Sequence, residues 1–371
     1  MDSAGRVRLG FMGAGNIGSV HMQSFAGLDG VVLAGVADAI PDLASARAGE
    51  FGIARVYDSA DALLNDETLD AVVIGVPNRW HAPLAVQALK AGKHVLLEKP
   101  MALDATAARE IVEAAQASGK ALLMGQQYRW KWSSQAVREQ VEAGALGTIY
   151  TAKAGWMRRK GIPGWGTWFT RKADSGGGPL IDIGVHMLDL ALFLMGNPKP
   201  VAVSGQTYAA FGPNRRGIGN WGTPDWDGVF DVEDLASAFI RMEDGSTLTL
   251  DVSWAVHGET DSAPFVHLMG SDGGASIRGE SAAFYTEAFG RPVDIPLPVP
   301  VYDEGERVRM GRHFLACVRG DVAPMAPALA GLTNQLVLDG IYQSSQTGRE
   351  VMLDELTEAY GTNPGRGGVV Q

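Results

Sequence analysis

Taking two hydrogens from a secondary alcohol requires a hydride acceptor, a base for the hydroxyl proton and a positive group that steadies the oxygen as the proton leaves. Lys99 stands in Glu98-Lys99-Pro100, directly after the apolar run His94–Leu97, where proline fixes a turn. An ammonium there can hydrogen-bond the reacting oxygen, with Glu98 beside it to hold the lysine. Asp182 and His186 are four apart in Leu180-Ile181-Asp182-Ile183-Gly184-Val185-His186, a spacing that puts both on one face of a helix. The rest of that helix is apolar, and two ionisable groups in apolar surroundings need a reason. Imidazole titrates near neutrality, so His186 is the candidate base, with Asp182 to orient it or to relay the proton. Lys99, Asp182 and His186 are therefore the groups expected at both the chemistry and the substrate hydroxyl. Asp189 reads as a supporting or capping residue.

A hydride acceptor is implied near the N-terminus. Gly13-Ala14-Gly15-Asn16-Ile17-Gly18 follows an apolar strand and opens a helix. In that context Gly13 allows a tight turn, Gly15 lets the backbone approach a pyrophosphate, and Gly18 lets the helix pack on the strand. The first N–H groups of the helix, at Asn16 and Ile17, then face phosphate with a partial positive charge. Asp38 ends the next strand, twenty positions after Gly18. Its carboxylate suits ribose hydroxyls and repels a 2′-phosphate, and Ala39 and Ile40 offer no arginine to offset that. NAD is expected rather than NADP. Asp38 also suits a helix cap. Pro77, Asn78 and His81 end a later strand on the same side of the sheet, where they either touch the cofactor or cap the following helix. Glu98 is placed with them.

The elements that must hold these groups alternate. Apolar strands are expected at Val7–Met12, Val31–Ala37, 69–76, His94–Leu97 and 121–125, with helices from Pro41 to about Phe51, at 81–91 and at 106–117. Near-continuous apolar strands separated by helices predict a doubly wound parallel sheet covered on both faces. Beyond Gln126 the texture changes. A helix at 133–142, a strand at 148–156, an irregular stretch at 157–179 and a long apolar helix at 180–195 precede alternating runs at 201–208, Leu235–Met242, 247–256 and 266–269. Hairpin turns are expected at 243–246 and 271–274. These predict a large, mostly antiparallel open sheet with helices on one side, closed by helices at 307–318 and 328–345. Residues 1–126 are thus assigned to an α/β dinucleotide-binding Rossmann domain. Residues 127–361 are assigned to an α+β domain for substrate and subunit contacts, its final helix packing back on the first. Residues 362–371 are assigned to a flexible tail.

The 371 residues carry a net charge of −11, which disfavours nucleic acid and anionic membrane as partners. The single cysteine, Cys317, excludes an intrachain disulfide and reads as a buried structural thiol. No targeting segment is evident, no run of membrane-spanning length, about 18–20 residues, stands out, and the expected location is the cytoplasm. No metal site is expected.

In this order, the glycine loop, Glu98-Lys99-Pro100, the Asp182/His186 pair and the closing Thr347-Gly348-Arg349-Glu350-Val351 resemble the Gfo/Idh/MocA family, over nearly the whole chain. The resemblance implies Lys99, Asp182 and His186 as a catalytic trio. It places Gln127 and Tyr128 near nicotinamide and substrate, and it implies subunit contacts through the open sheet. A homodimer or homotetramer is expected. The activity implied is NAD-dependent oxidation of a ring hydroxyl of a sugar, glycoside or inositol. The alternatives are a redox-neutral glycosidase using the same site and a non-enzymatic NAD-binding regulator.

Tryptophan faces pack on sugar C–H faces, and arginines donate to hydroxyls or carboxylates. Trp165 and Trp168 are therefore substrate-contact candidates, with Arg158 and Arg159 less favoured, against packing between domains or subunits for the tryptophans. The loop 211–231 is long enough to be a lid, a binding loop or an interface arm.

Overall fold

The computed structural model describes residues 5–258, 263–298 and 304–359; the expected tail, 362–371, lies outside them. The first six strands alternate with helices: β1 (Val7–Met12), α1 (Asn16–Ala26), β2 (Val31–Ala37), α2 (Pro41–Phe51), β3 (Arg55–Tyr57), α3 (Ala60–Leu64), β4 (Ala71–Ile74), α4 (His81–Lys90), β5 (His94–Leu97), α5 (Ala105–Ser118) and β6 (Leu122–Met124). The strands pair in parallel in the order β3-β2-β1-β4-β5-β6. The order reverses at β1 and β4, so the glycine loop after β1 and the turn after β4 flank the crevice where doubly wound sheets bind ligands. β4 is buried at every position and β5 at all but His94, as expected of strands covered on both faces. Local signals agree with the ends. Asp104 Oδ1 accepts the Ala107 N–H at 2.9 Å to open α5, and Gly119 ends it at a φ of +64°. β3 and α3 were not anticipated. β3 has two exposed residues of three, so no apolar run marks it.

The second half follows as α6 (Trp132–Glu142), β7 (Ile149–Met157), α7 (Lys172–Ser175), α8 (Val185–Leu194), β8 (Pro200–Tyr208), β9 (Leu235–Met242), β10 (Thr247–Ser253), β11 (Phe265–Gly270), β12 (Gly274–Arg278), β13 (Ser281–Ala288), β14 (Arg291–Leu297), α9 (Glu306–Arg319), α10 (Ala328–Thr347), β15 (Val351–Met352) and α11 (Leu353–Ala359). Nine strands form one sheet in the order β14-β13-β12-β11-β7-β10-β9-β8-β15. Only β7 and β10 run parallel within it. Ala152, Ala154, Leu248, Leu250, Ala238 and Ile240 point to the buried face, on which α8 lies; Lys153, Ser237 and Arg241 point away from it.

The expected single helix at 180–195 is two. Leu180–Gly184 is π-helical and leads into α8, all of whose residues are buried. Contrary to the sequence expectation, the helical stretch Lys172–Leu194 is long and apolar enough to cross a membrane. The protein's own core, however, covers 94% of its apolar 18-residue window. α9 packs on α1 and on the turn after β6, while α10 lies against β8, α5 and α8. Cys317 is buried on α9, and burial pushes its thiol up to about 11.

Candidate active site

The glycine loop has the geometry its spacing calls for. Gly13 has a φ of +100°, and a Cβ there would sit 2.3 Å from the Gly75 carbonyl oxygen. A Cβ on Gly18 would sit 2.1 Å from the Gly13 oxygen, whereas one on Gly15 would meet no protein atom within 4 Å. α1 starts at Asn16 without a side-chain cap, so its N–H groups and the open face of Gly15 form a cradle that fits a pyrophosphate. Asp38 holds this loop. Its Oδ2 accepts the Ala14 N–H at 2.7 Å and its Oδ1 the Ile40 N–H at 2.8 Å. The carboxylate thus anchors the cradle and stays part-exposed beside it.

Three residues expected on the cofactor side are turned into the protein. His81 is fully buried, with Nδ1 2.6 Å from the Pro100 oxygen and Nε2 2.9 Å from the Val76 oxygen. It ties the end of β4 to the turn that carries Lys99, and its nitrogens are committed there. Asn78 donates to the Ser175 oxygen at 2.8 Å. Glu98 does not hold the Lys99 ammonium. Its Oε1 lies 2.8 Å from His21 Nε2 and 3.2 Å from an Arg307 nitrogen, while Oε2 accepts the backbone N–H of Lys99. Burial alone would raise the Glu98 carboxyl; His21, Arg307 and Lys99 outweigh it and hold it well below the usual range. Pro77 opens the turn Asn78–Trp80 that leads into α4.

Lys99 instead reaches across to the π-helical turn. Its Nζ donates to the Asp182 backbone oxygen at 2.8 Å and to Asp182 Oδ1 at 3.0 Å. Asp182 Oδ2 accepts the indole N–H of Trp254, itself fully buried, at 3.0 Å. Burial pushes the Asp182 carboxyl up, but Lys99, Arg158 and these bonds together pull it below its ordinary value.

Asp182 and His186 line one cavity, as their spacing anticipated, yet they are not hydrogen-bonded as the expected support required. Both Asp182 oxygens are taken. The imidazole partner is Gln126, whose Oε1 lies 3.1 Å from His186 Nδ1. Burial, then Lys99, lowers the His186 pKa well below the ordinary value, so the ring is neutral at pH 7. An Nδ1–H donated to Gln126 leaves the Nε2 lone pair free to accept a proton.

Gln127 and Tyr128 line the same cavity, whose volume is about 490 Å3. Gln127 Oε1 is buried without a hydrogen-bond partner, an acceptor waiting for a ligand donor. The Tyr128 ring lies 5.1 Å from His186 and edge-on to Trp156, and burial pushes its hydroxyl up to about 12. Behind this turn, Arg129 grips Asp189 with two bonds of 2.8 and 2.7 Å, and Asn334 donates to Asp189 at 2.9 Å. That buried fork fixes the turn carrying Gln126–Tyr128 against α8.

Arg158 also lines the cavity, its guanidinium 4.1 Å over the Trp156 ring. Trp165 and Trp168 do not line it. Trp165 is 5% exposed, donates to the Gly212 oxygen at 2.7 Å and stacks on Trp226 and Phe230; Trp168 packs on Phe169. The aromatic walls are Trp156 and Trp221, the latter from the long 211–231 loop. Arg159 is likewise absent from the lining. Sequence reasoning missed Gln126 and Trp254, for which residue type alone is no signal; Trp221 belongs to the 211–231 loop, for which a lid, a binding loop or an interface arm was expected. Among the described residues no cluster of three or more His, Cys, Asp or Glu suits a metal.

Comparison with known proteins identifies the family and the fold. The model of an oxidoreductase family with an NAD-binding Rossmann fold, Gfo/Idh/MocA, matches residues 7–126, and that of the Gfo/Idh/MocA C-terminal domain matches 134–276. D-glucoside 3-dehydrogenase of Escherichia coli K12 is 34% identical over 349 residues, covering 94% of this chain and 97% of its own. Inositol 2-dehydrogenase of Rhizobium meliloti 1021 is 31% identical over 256 residues, covering 68% and 73%. A solved levoglucosan dehydrogenase in complex with NADH superposes with a TM-score of 0.84 at 21% identity, covering 94% of this chain and 99% of that one, and so shares the fold.

Proposed function

Because the chain belongs to the Gfo/Idh/MocA oxidoreductases, an NAD-binding Rossmann family, we propose that it oxidises a secondary ring hydroxyl of a sugar, glycoside or inositol. NAD, when bound, supplies the hydride acceptor. Gly13, Gly15, Gly18 and the start of α1 hold its pyrophosphate, and Asp38 meets the adenosine ribose. Lys99 donates to the substrate oxygen and carries the countercharge as that oxygen loses its proton. His186 takes the proton at Nε2, and Gln126 at Nδ1 keeps the ring in the accepting tautomer. Asp182 holds the ammonium in place and offsets the cost of placing it in a part-buried cleft.

The observation that carries this reading is the 3.0 Å approach of Lys99 Nζ to Asp182, which lines a cavity together with a neutral His186, while Lys99 itself stands behind Asp182 and outside the lining. The test is reduction of NAD followed by absorbance, with inositols, aldoses, sugar acids and glycosides as donors and Lys99→Met as the control. NADH formation with one polyol class, lost in the variant, supports it. A flat response from protein that binds NAD overturns it.

A further inference from the structure

The cavity extends beyond the reacting centre. Its inner end is formed by Gln127, Tyr128, Asp182 and His186, and its outer end by Trp156, Arg158, Lys160 and the Gly219–Asn220–Trp221 segment. Its volume, about 490 Å3, is in the range of sites that enclose drug-sized ligands.

The outer wall is built in advance. The Gly161 and Ile162 N–H groups both donate to the Gly217 oxygen, at 3.1 and 3.0 Å. Gly219 N–H donates to the Ile162 oxygen and Gly164 N–H to the Trp221 oxygen, each at 2.9 Å. A Cβ on Gly219 would lie 2.9 Å from the Gly161 Cα, so the two strands of this wall meet as bare backbone and leave the floor open. Trp221 is held by its backbone and by an edge contact with Phe169 at 4.8 Å, yet its side chain stays 52% exposed. A fixed indole left half in water beside a cavity is apolar surface without a partner, and flat rings are what such a face stacks on. The Arg158 guanidinium, lying on Trp156, presents a second flat surface to the same space.

We propose that this outer end is a subsite for the second six-membered ring of a glycoside, seated on Trp221 and the Arg158–Trp156 stack while the first ring reacts at Lys99 and His186. The inference rests on the dehydrogenase reading for the position of the reacting ring. The seated ring is either another pyranose or an aromatic aglycone, since both offer a flat face.

The test compares methyl β-D-glucoside with cellobiose and phenyl β-D-glucoside, by kcat/KM with NAD, in the wild type, Trp221→Ala and Trp221→Phe. The two-ring substrates are expected to exceed the methyl glucoside by roughly three- to tenfold, the scale of one ring-stacking contact. Trp221→Ala lowers kcat/KM for the two-ring substrates more than for the methyl glucoside and so removes that advantage; Trp221→Phe keeps it. Advantage for cellobiose alone identifies a sugar as the seated ring, and for the phenyl glucoside alone an aromatic one. Equal rates for all three in the wild type, an advantage that survives Trp221→Ala, or an equal loss on all substrates overturns the subsite. Should none of them reduce NAD, the dehydrogenase reading fails for glucosides. Calorimetric titration of the enzyme–NAD complex with the same three then reads the subsite directly, with the same affinity ratios supporting or overturning it.

Discussion

Lys99 Nζ bonds Asp182 twice, at the backbone oxygen and at Oδ1, 2.8 and 3.0 Å away. The ammonium that would polarise a substrate is thereby fixed on the turn just ahead of the proposed base. Lys99→Met removes a donor to the developing oxyanion, and kcat is expected to fall at least about a hundredfold. Asp182 loses its cation but keeps the Trp254 bond, so the fold should hold. Steady-state kinetics with a thermal melt separate these effects. A fall in melting temperature that accounts for the lost rate would refute the catalytic role.

The 3.1 Å contact between Gln126 and His186 makes a pH prediction. With its pKa lowered, the imidazole stays neutral, so kcat/KM should hold from alkaline pH down to about 6.5 and decline only below it. Gln126→Leu frees the tautomer and should lower kcat about tenfold with KM little changed. Gln126→Glu puts a carboxylate on the ring, favours imidazolium and should move the acid limb upward by about one unit or more. A pH profile unmoved by Gln126→Glu would remove Gln126 from the proton path.

Residue order carries much of the first sheet. β1, β2, β4 and β5 are short apolar runs between helix signals, and burial on both faces writes itself into such runs. β13 and β14 escaped notice because few of their residues are buried and no apolar run marks them; β14 is the edge strand and carries Pro292 and Pro296, which an edge tolerates. In the candidate site, Gly13, Lys99, Asp182 and His186 could be nominated from the sequence because each proposed role demands its residue type, and the structure brings Lys99 to Asp182 and Asp182 with His186 into one cavity. Their partners could not be nominated in this way. Gln126 and Gln127 are adjacent and alike, and only the turn after β6 decides which faces His186. Trp165 was the expected platform, and only packing assigns it to an aromatic stack and brings Trp221 of the long loop to the cavity instead. The π-helical turn at Leu180–Gly184 leaves no mark on a stretch that is apolar but for Asp182.

The three loop glycines separate folding from binding. Gly15→Ala adds a methyl group where no protein atom lies within 4 Å, so the melting temperature should change little. The same methyl intrudes on the cradle and should weaken NAD binding by about tenfold or more. Gly13→Ala and Gly18→Ala drive a Cβ to within 2.3 and 2.1 Å of carbonyl oxygens and should destabilise the fold itself. Melts and NAD titrations of the three variants check this. Undiminished NAD affinity in Gly15→Ala would place the pyrophosphate elsewhere.

A buried carboxylate far from the chemistry makes stability depend on pH. Asp339 on α10 accepts the Ala105 N–H at the start of α5, at 2.7 Å, and the Gln335 side chain at 3.0 Å. Burial, with Asp104 nearby, pushes its pKa up to about 6, while its two hydrogen bonds pull the other way. A folded pKa above the unfolded one means that the folded state holds the proton more tightly. The resulting contribution is complete below about pH 4 and is lost as pH rises through 6, a change on the order of 2–3 kcal/mol. Asp339→Asn abolishes the ionisation. Its carbonyl can keep the Ala105 N–H, and its amide can donate to Gln335 Oε1, which is buried without a partner. The variant should therefore melt several degrees above wild type at pH 8, and the two curves should converge near pH 4. A variant equal to wild type near pH 4 but less stable at pH 8 would show that the charge strengthens the bond to Ala105 by more than its burial costs.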